Sequence, residues 1–561
     1  MFKKLFSSKT SKIYTLIIGV AVIVCLILVL ATAFASDTNR LVYGENQDGT
    51  YTVKDIKSLY RGGLFHKKTL VIPATYKGEK VVSIEKVESD HIIEIIIEEG
   101  IEEIKTGAFT GMESLVKITI PESVKVIGGN SFSNCYSLKD ITFPNHITSI
   151  QSQTFKGCKS LETFTVPSSV DYIGENAFVE CTSLKEVILS SGVESIGNQA
   201  FKGCTNLSKL SIPTTVNHIG ESAFEGCSSL ETLQISEGLP KIDKFAFAGM
   251  SGLKEINIPS TVTEIAEGAF MNCTSLTNVT LPQGIAKIEN STFENCTNLV
   301  SVSVPTTVTF VGERAFANCS SLTSLSLEYV TEVGNEAFKG STKLQTINFE
   351  FANAKVGYNV FDETAFAKEV IKANKGLLIV GNVVYDFDAE IYKQENNISG
   401  NIEKLIIPNG IEKINNGAFY DSVDFSAIVL PETLKLIGAE AFLLSTKASD
   451  SLTKLNTIFF AGNDLVIEEK AFNGCKDLKA KVFTTEDAVS KVSFGDNNNV
   501  LEKAKNVFVE GEEYYTYVYL TKEDSQNKVE SKLSYDLVKL QAYKVENGSK
   551  KYFNERTYKF E

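Results

Sequence analysis

Ten phenylalanines recur at a constant interval of twenty-three residues: Phe109, Phe132, Phe155, Phe178, Phe201, Phe224, Phe247, Phe270, Phe293 and Phe316. A fixed period in this range marks a solenoid, a chain in which one small unit is repeated and stacked. The rest of the unit keeps step, as Leu161, Phe164, Val166, Pro167, Val170, Ile173, Gly174, Ala177, Phe178 and Cys181 show for one turn. The consensus reads LxxIxIPxxVxxIGxxAFxxCxx.

Alternation in Phe164-Thr165-Val166 followed by Pro167 describes a short strand, ended where the missing N–H breaks the ladder. Val170 and Ile173 are too close to Gly174 for a full helix and suit a turn or a second short strand. Ala177 and Phe178 then turn inward, and Cys181 and Leu184 close the coil. No such unit can bury its apolar positions alone, so stability must come from its stacked neighbours.

The unit resembles the leucine-rich repeat of the BspA type, also called the Treponema pallidum type, from about Val71 to Leu478. The resemblance implies a leucine-rich repeat solenoid: right-handed, mainly β, with a parallel sheet on its concave face and short irregular convex segments. It also implies display at a cell surface and binding of proteins or cells, with no chemistry common to the family.

The period places the parts of the chain. Residues 37–80, including Gly49 to Val53, read as a β-rich cap, and 81–350 as the main array. Phe338 follows Phe316 by twenty-two residues, and the rhythm then fails across an irregular insert, 351–400. Within it, Gly376 to Tyr385 is similar to the "LLIxNGVxxxY" segment with which this family restarts an array. A second repeat block, 401–479, carries Leu405, Ile407, Pro408, Ile411, Ile414 and Phe419, then Ile428, Leu430, Pro431, Leu434, Ile437 and Phe442. A polar insertion, Ser445 to Lys454, delays its last unit to Phe472 and Cys475. Residues 480–561 lose the period; alternation around Tyr515, Tyr517 and Tyr519 and from Leu537 to Tyr543 predicts a small β-rich module or cap.

At the N-terminus, residues 1–12 carry Lys3, Lys4, Lys9 and Lys12 and form a basic cytoplasmic tail. The uncharged run 13–36 is long enough to span a bilayer, with everything after it outside. Ala33-Phe34-Ala35 is also a signal-peptidase site. The segment is therefore either a transmembrane signal-anchor or a signal peptide cleaved after Ala35, which gives a membrane-anchored surface protein or a secreted one. With 43% hydrophobic residues the chain can bury a continuous core, and its net charge of -14 disfavours nucleic acid as a partner.

Cys135, Cys158, Cys181, Cys204 and Cys227 share one repeat position, Met250 takes the sixth place, and Cys273, Cys296 and Cys319 resume the series. Runs of five and three cannot pair completely between neighbours, so the column reads as buried core instead of disulfides. A zinc site needs four ligands converging on a point, whereas this column sets one thiol per coil along a line. His66, His91, His146 and His218 are scattered, and no catalytic motif stands in a supporting context. Neither an enzyme nor a cofactor is expected.

The candidate binding residues lie on the outer face of the first strand. One outward column holds Thr119, Thr142, Thr165, Ile188, Ser211, Gln234, Asn257 and onward to Asn348. Its neighbour holds Lys117, Asp140, Thr163, Glu186, Lys209, Thr232 and Glu255. Eleven rungs at roughly 4.8 Å give a flat strip about 50 Å long, suited to an extended extracellular or host protein, or a glycan. Without aromatics the strip offers no sugar-stacking platform. The sequence thus points to an adhesin, or else to a rigid stalk that presents residues 480–561 and has no ligand of its own on the solenoid.

Overall fold

Coils of the main array open with a strand of two to four residues whose side chains alternate between water and core. Lys117 and Thr119 are exposed around buried Ile118, and Thr163 and Thr165 are exposed around buried Phe164. The computed structural model describes residues 37–57, 68–235, 237–350, 354–443, most of 455–472, and separate strands between 482 and 560. The membrane-spanning or signal segment at 13–36 lies outside the described residues. Among the described residues, no helix is long and apolar enough to cross a membrane. The chain falls into two units, Met1–Ile285 and Ala286–Glu561.

In the first unit, coils stack through two rows of parallel strands. The front row begins with Thr69–Ile72, Glu94–Ile97, Lys117–Thr119 and Asp140–Ile141. It continues as Thr163–Thr165, Glu186–Ile188 and Lys209–Leu210, then as Thr232–Gln234 and Glu255–Asn257. The side row is the second apolar pair of the consensus. Tyr172–Ile173 lies between Ser149–Ile150 and Ser195–Ile196, so the segment before Gly174 is a strand. At the N-terminal end, Leu41–Glu45 and Tyr51–Ile56 form an antiparallel hairpin that joins the side row through Glu79–Ile84.

The third segment of each coil is neither helix nor strand, yet it is periodic. Asn176, Phe178 and Glu180 donate their N–H groups to the carbonyls of Asn198, Ala200 and Lys202 in the next coil at 2.9, 2.7 and 2.8 Å. Ala177 and Val179 instead close turns on Gly174 and Asn176. This alternation needs left-handed backbone at two positions per coil, such as Asn176 (φ 56°) and Glu180 (φ 59°), or Gln199 (φ 56°) and Gly203 (φ 74°). Asn and Gly enter that region at low cost, and the two ladders of neighbouring bonds hold Gln and Glu there. Gly174 answers a different demand: a Cβ there would lie 2.6 Å from the backbone nitrogen of Ser152.

The phenylalanine column fills the interior. Phe178, Phe201 and Phe224 are fully buried and stack face to face, with centroids 5.1 and 5.3 Å apart and planes within 5°. Burying such a side chain is worth about 2–3 kcal/mol. An aromatic neighbour adds about 0.5–1.5 kcal/mol.

The cysteine column is buried and every described member is a free thiol. Each also does something that its hydrophobicity does not express. Cys158 donates its S–H to the Phe132 carbonyl at 3.1 Å, and Cys181 and Cys204 do the same to Phe155 and Phe178 at 3.1 Å. In the second unit Ser341 stands in this column and donates to the Phe316 carbonyl at 2.7 Å. Wherever cysteine or serine fills the position it caps the preceding coil's carbonyl, whereas Met250 fills the same place by packing alone. Burial pushes the Cys135 and Cys273 thiols up to about 12.

The second unit repeats the pattern in Lys287–Ile288, Phe310–Val311, Glu332–Val333 and Lys355–Val356, with Ser324–Leu327 beside Thr346–Phe349. The insert expected to be irregular is built of regular elements: helix Ala365–Ala373 capped by Thr364, hairpin Leu377–Val380 with Val383–Phe387, and helix Ala389–Glu395 capped by Asp388. The hairpin's second strand lies parallel to Lys413–Ile414, which restarts the side row. Front strands Ile402–Ile406, Phe425–Leu430 and Thr457–Phe460 follow. Beyond them, Val482–Thr484 pairs with Thr457–Phe460 in parallel and with Thr516–Val518 in antiparallel, and Gln541–Glu546 forms a hairpin with Ser549–Asn554.

Candidate binding face

All thirteen strip residues fall on or beside the front strands of the first unit. Lys117, Thr119, Asp140, Thr142, Thr163, Thr165, Lys209, Ser211, Thr232, Gln234, Glu255 and Asn257 are exposed, and Glu186 is half-buried. Register brings them together in three stretches. Lys117 lies beside Asp140, Thr163 beside Glu186 and Glu186 beside Lys209, while Thr232 and Gln234 lie beside Glu255 and Asn257. Ile188, in the same column as Thr165, is 54% exposed and puts one apolar side chain amid the polar ones.

Four of the five charges on this face pair with one another. Lys117 reaches Asp140 at 3.5 Å and Lys209 reaches Glu186 at 3.8 Å, both between adjacent coils. A third column, one residue earlier in each coil, was not singled out from the sequence. It holds Glu162 with Lys185 at 2.7 Å and Glu231 with Lys254 at 2.9 Å. The signal that could have found them is the spacing: each pair is 23 residues apart with opposite charges. The Lys185 ammonium holds the Glu162 carboxyl below its ordinary range, through a hydrogen bond and direct attraction. Such exposed pairs contribute little to stability, but they set the lateral charge pattern that a partner would meet.

Other ionisable groups stand apart. His146 Nε2 lies 2.8 Å from the Val124 carbonyl, and His218 Nδ1 lies 3.7 Å from Asp243. Among the described residues, no three His, Cys, Asp or Glu side chains come together in a way that could hold a metal ion.

Parallel strands at a fixed 23-residue register, a stacked interior column and a laddered third segment define a leucine-rich repeat solenoid. The family described as "BspA type Leucine rich repeat region (6 copies)" matches residues 87–205, 148–277, 240–368 and 390–503. The chain belongs to the BspA-type leucine-rich repeat family. Among solved structures it is similar to a leucine-rich repeat protein from Bacteroides ovatus, with 29% identity over 59% of this chain and 95% of that one and a TM-score of 0.48. A leucine-rich cell surface protein from Faecalibacterium prausnitzii is 27% identical over 56% of this chain and 94% of its own, with a TM-score of 0.41. The T. pallidum leucine-rich repeat protein is 24% identical over 51% and 88%, with a TM-score of 0.22. No curated protein matches the chain.

Proposed function

We propose that this chain is displayed at a cell surface and binds an extracellular or host protein, or a glycan, through its front face, as an adhesin does. It acts by binding and carries out no reaction. One observation carries the reading: thirteen mostly small polar residues from successive coils lie along the outward side of the front-strand row, twelve of them exposed. A backbone held by interlocking ladders presents such a face already ordered, so a partner meets little entropic cost of arranging it.

A second reading is supported by the pairing of Lys117 with Asp140 and Lys209 with Glu186. A face most of whose charges are satisfied internally has fewer free groups to offer, and the solenoid then serves as a stalk for residues 480–561. Three chains separate the two readings when tested on immobilised matrix and cell-surface proteins: the full chain, a chain ending at residue 479, and a full chain with Thr119→Glu, Thr142→Glu and Thr165→Glu. An adhesin loses attachment with the triple substitution and keeps it after truncation. A stalk does the reverse.

A further inference from the structure

The interruption in the second unit leaves a cleft that the strip does not involve. The laddered third segment runs through Glu336, Phe338 and Gly340, which donate to Tyr358, Val360 and Asp362. The hairpin strand Val383–Phe387 then supplies a side-row strand, but it leads into a helix and supplies no third segment. Two contacts close part of the gap: the Asn415 amide donates to the carbonyls of Val356 and Gly357 at 2.8 and 3.1 Å, and Tyr358 stacks on Tyr420 at 5.9 Å. The remaining space is a cleft of about 600 Å³, a volume common among ligand sites.

The lining of this cleft is strongly acidic. Asp362, Glu363, Asp386, Asp388, Glu390 and Asp421 all border it, with Lys368 the one basic residue in the lining. Lys339 and Lys393 reach Asp362 and Glu390 from outside at 3.2 Å each. Six carboxylates therefore face three cations. Asp388 is already committed to capping its helix through the Ile391 N–H. Asp386 is different. It lies partly buried at the cleft, its carboxylate takes the Phe387 N–H at 2.7 Å, and no lysine or arginine among the described residues forms an ion pair with it. Taking a carboxylate partly out of water without a counter-charge is costly, and a cation bound beside it offsets that cost.

The spacing of the acids argues against a metal ion, because no three of them converge. Phe387, Ile371 and Ala367 supply apolar wall to the same cleft. We infer that the cleft is a second binding site, which takes the ammonium or guanidinium head of a lysine or arginine side chain from another polypeptide and lays its aliphatic stem along Phe387 and Ile371. The site is separate from the front face and stands whether or not that face binds anything. Burial, with Asp362 and Asp388 close by, pushes the Asp386 carboxyl up to about 6, against the opposing effects of the Phe387 N–H and Lys339. Glu363, Lys368, Glu390 and Asp421 complete the charged groups facing it.

Calorimetric titration of the full chain tests this with a lysine-containing tetrapeptide, its arginine counterpart, its Nε-acetylated form, 1,5-diaminopentane and calcium chloride. The expected result is saturable binding of the two basic peptides, none of the acetylated one, and weaker binding of the diamine. Affinity should fall at least tenfold in Asp386→Asn, and roughly tenfold between pH 7.5 and pH 5 as the carboxyl takes up its proton. Lys368→Ala, an exposed helix position, should tighten binding roughly threefold at low salt by removing a competing charge. The inference is overturned if the acetylated peptide binds as well as its parent, if calcium displaces the peptide, or if the diamine binds more tightly than the peptide. It is equally overturned if Asp386→Asn, folded by circular dichroism, binds unchanged. Should that variant fail to fold, unchanged affinity in Lys368→Ala would overturn it as well.

Discussion

From Phe109 to Cys227 the coils share one recurring set of contacts: a stacked ring, a thiol to a carbonyl and the third-segment ladder, with the front and side strands pairing in stretches. Between Val356 and Phe419 the repeating contacts are replaced by single ones. Phe361 meets Tyr385 edge to face, Phe387 packs obliquely on Phe419, and the Asn415 side chain spans 59 residues of sequence to reach Val356. The regular region hides its polar groups by periodicity. The broken region satisfies them case by case, and what remains unsatisfied gathers in a cleft. Repetition thus gives a uniform core, and its interruption gives the local asymmetry from which a specific site can be made.

That contrast can be broken at its strongest point by truncating a ring in the middle of the regular stack. Phe201→Ala removes contacts to both Phe178 and Phe224 and should cost about 3–5 kcal/mol, read from urea unfolding of the full chain. A cost near 1 kcal/mol would mean that the stack collapses around the gap.

A smaller effect comes from the thiols. The folded state keeps a proton on Cys135 and Cys273 up to about pH 12, whereas the unfolded chain releases it near the ordinary value of 9.0. Raised folded values mean stability that is intact below pH 9 and lost progressively from there towards pH 12. At pH 10 the loss should be about 1.4 kcal/mol for each such thiol. Cys135→Ser with Cys273→Ser should make the fall of the unfolding midpoint above pH 9 shallower, by the share of these two thiols alone, because serine keeps the donor, as Ser341 does, without titrating.

Asn415→Ala sharpens the other side of the comparison. It leaves the Val356 and Gly357 carbonyls without their side-chain donor and also removes the buried Asn415 Oδ1, which has no partner of its own. The net cost should be about 1–2 kcal/mol by chemical denaturation. Proteolysis should show it first in the second unit. Glu162→Gln, which breaks the exposed pair with Lys185, should leave the unfolding midpoint where it was.

The regular region was largely legible in the sequence. Period-two alternation around Ile118 and Phe164 fixed which way Lys117 and Thr163 face, and the phenylalanine spacing fixed the stack. Two features could not be read. Left-handed positions are filled by Asn176, Gln199, Ser222, Phe245 and Arg314, residue types with nothing in common, because the neighbouring ladder imposes the conformation. The thiol's acceptor lies 26 residues back and becomes visible only when the coils stack. The cleft was hidden for the same reason: its walls come from residues as far apart as Asn359 and Ser422. One local sign existed, Asn415 in the column that holds Gly438 in the next coil.

The short coil that ends at Phe338 loses its residue at one place, the corner between front and side strands. Val304 and Val308 are four apart across Pro305, whereas Leu327 and Val330 are three apart with no proline between them. The closing bond survives: Val330 donates to the Leu327 carbonyl at 3.1 Å, as Val308 does to Pro305. Downstream register is also intact, with Phe310 beside Glu332 and Ser324 beside Thr346. Length at this corner is therefore decoupled from the stacking that holds the array together. An epitope or tag grafted there would be carried as cargo by a scaffold indifferent to its size, since loop closure becomes costlier only slowly as residues are added.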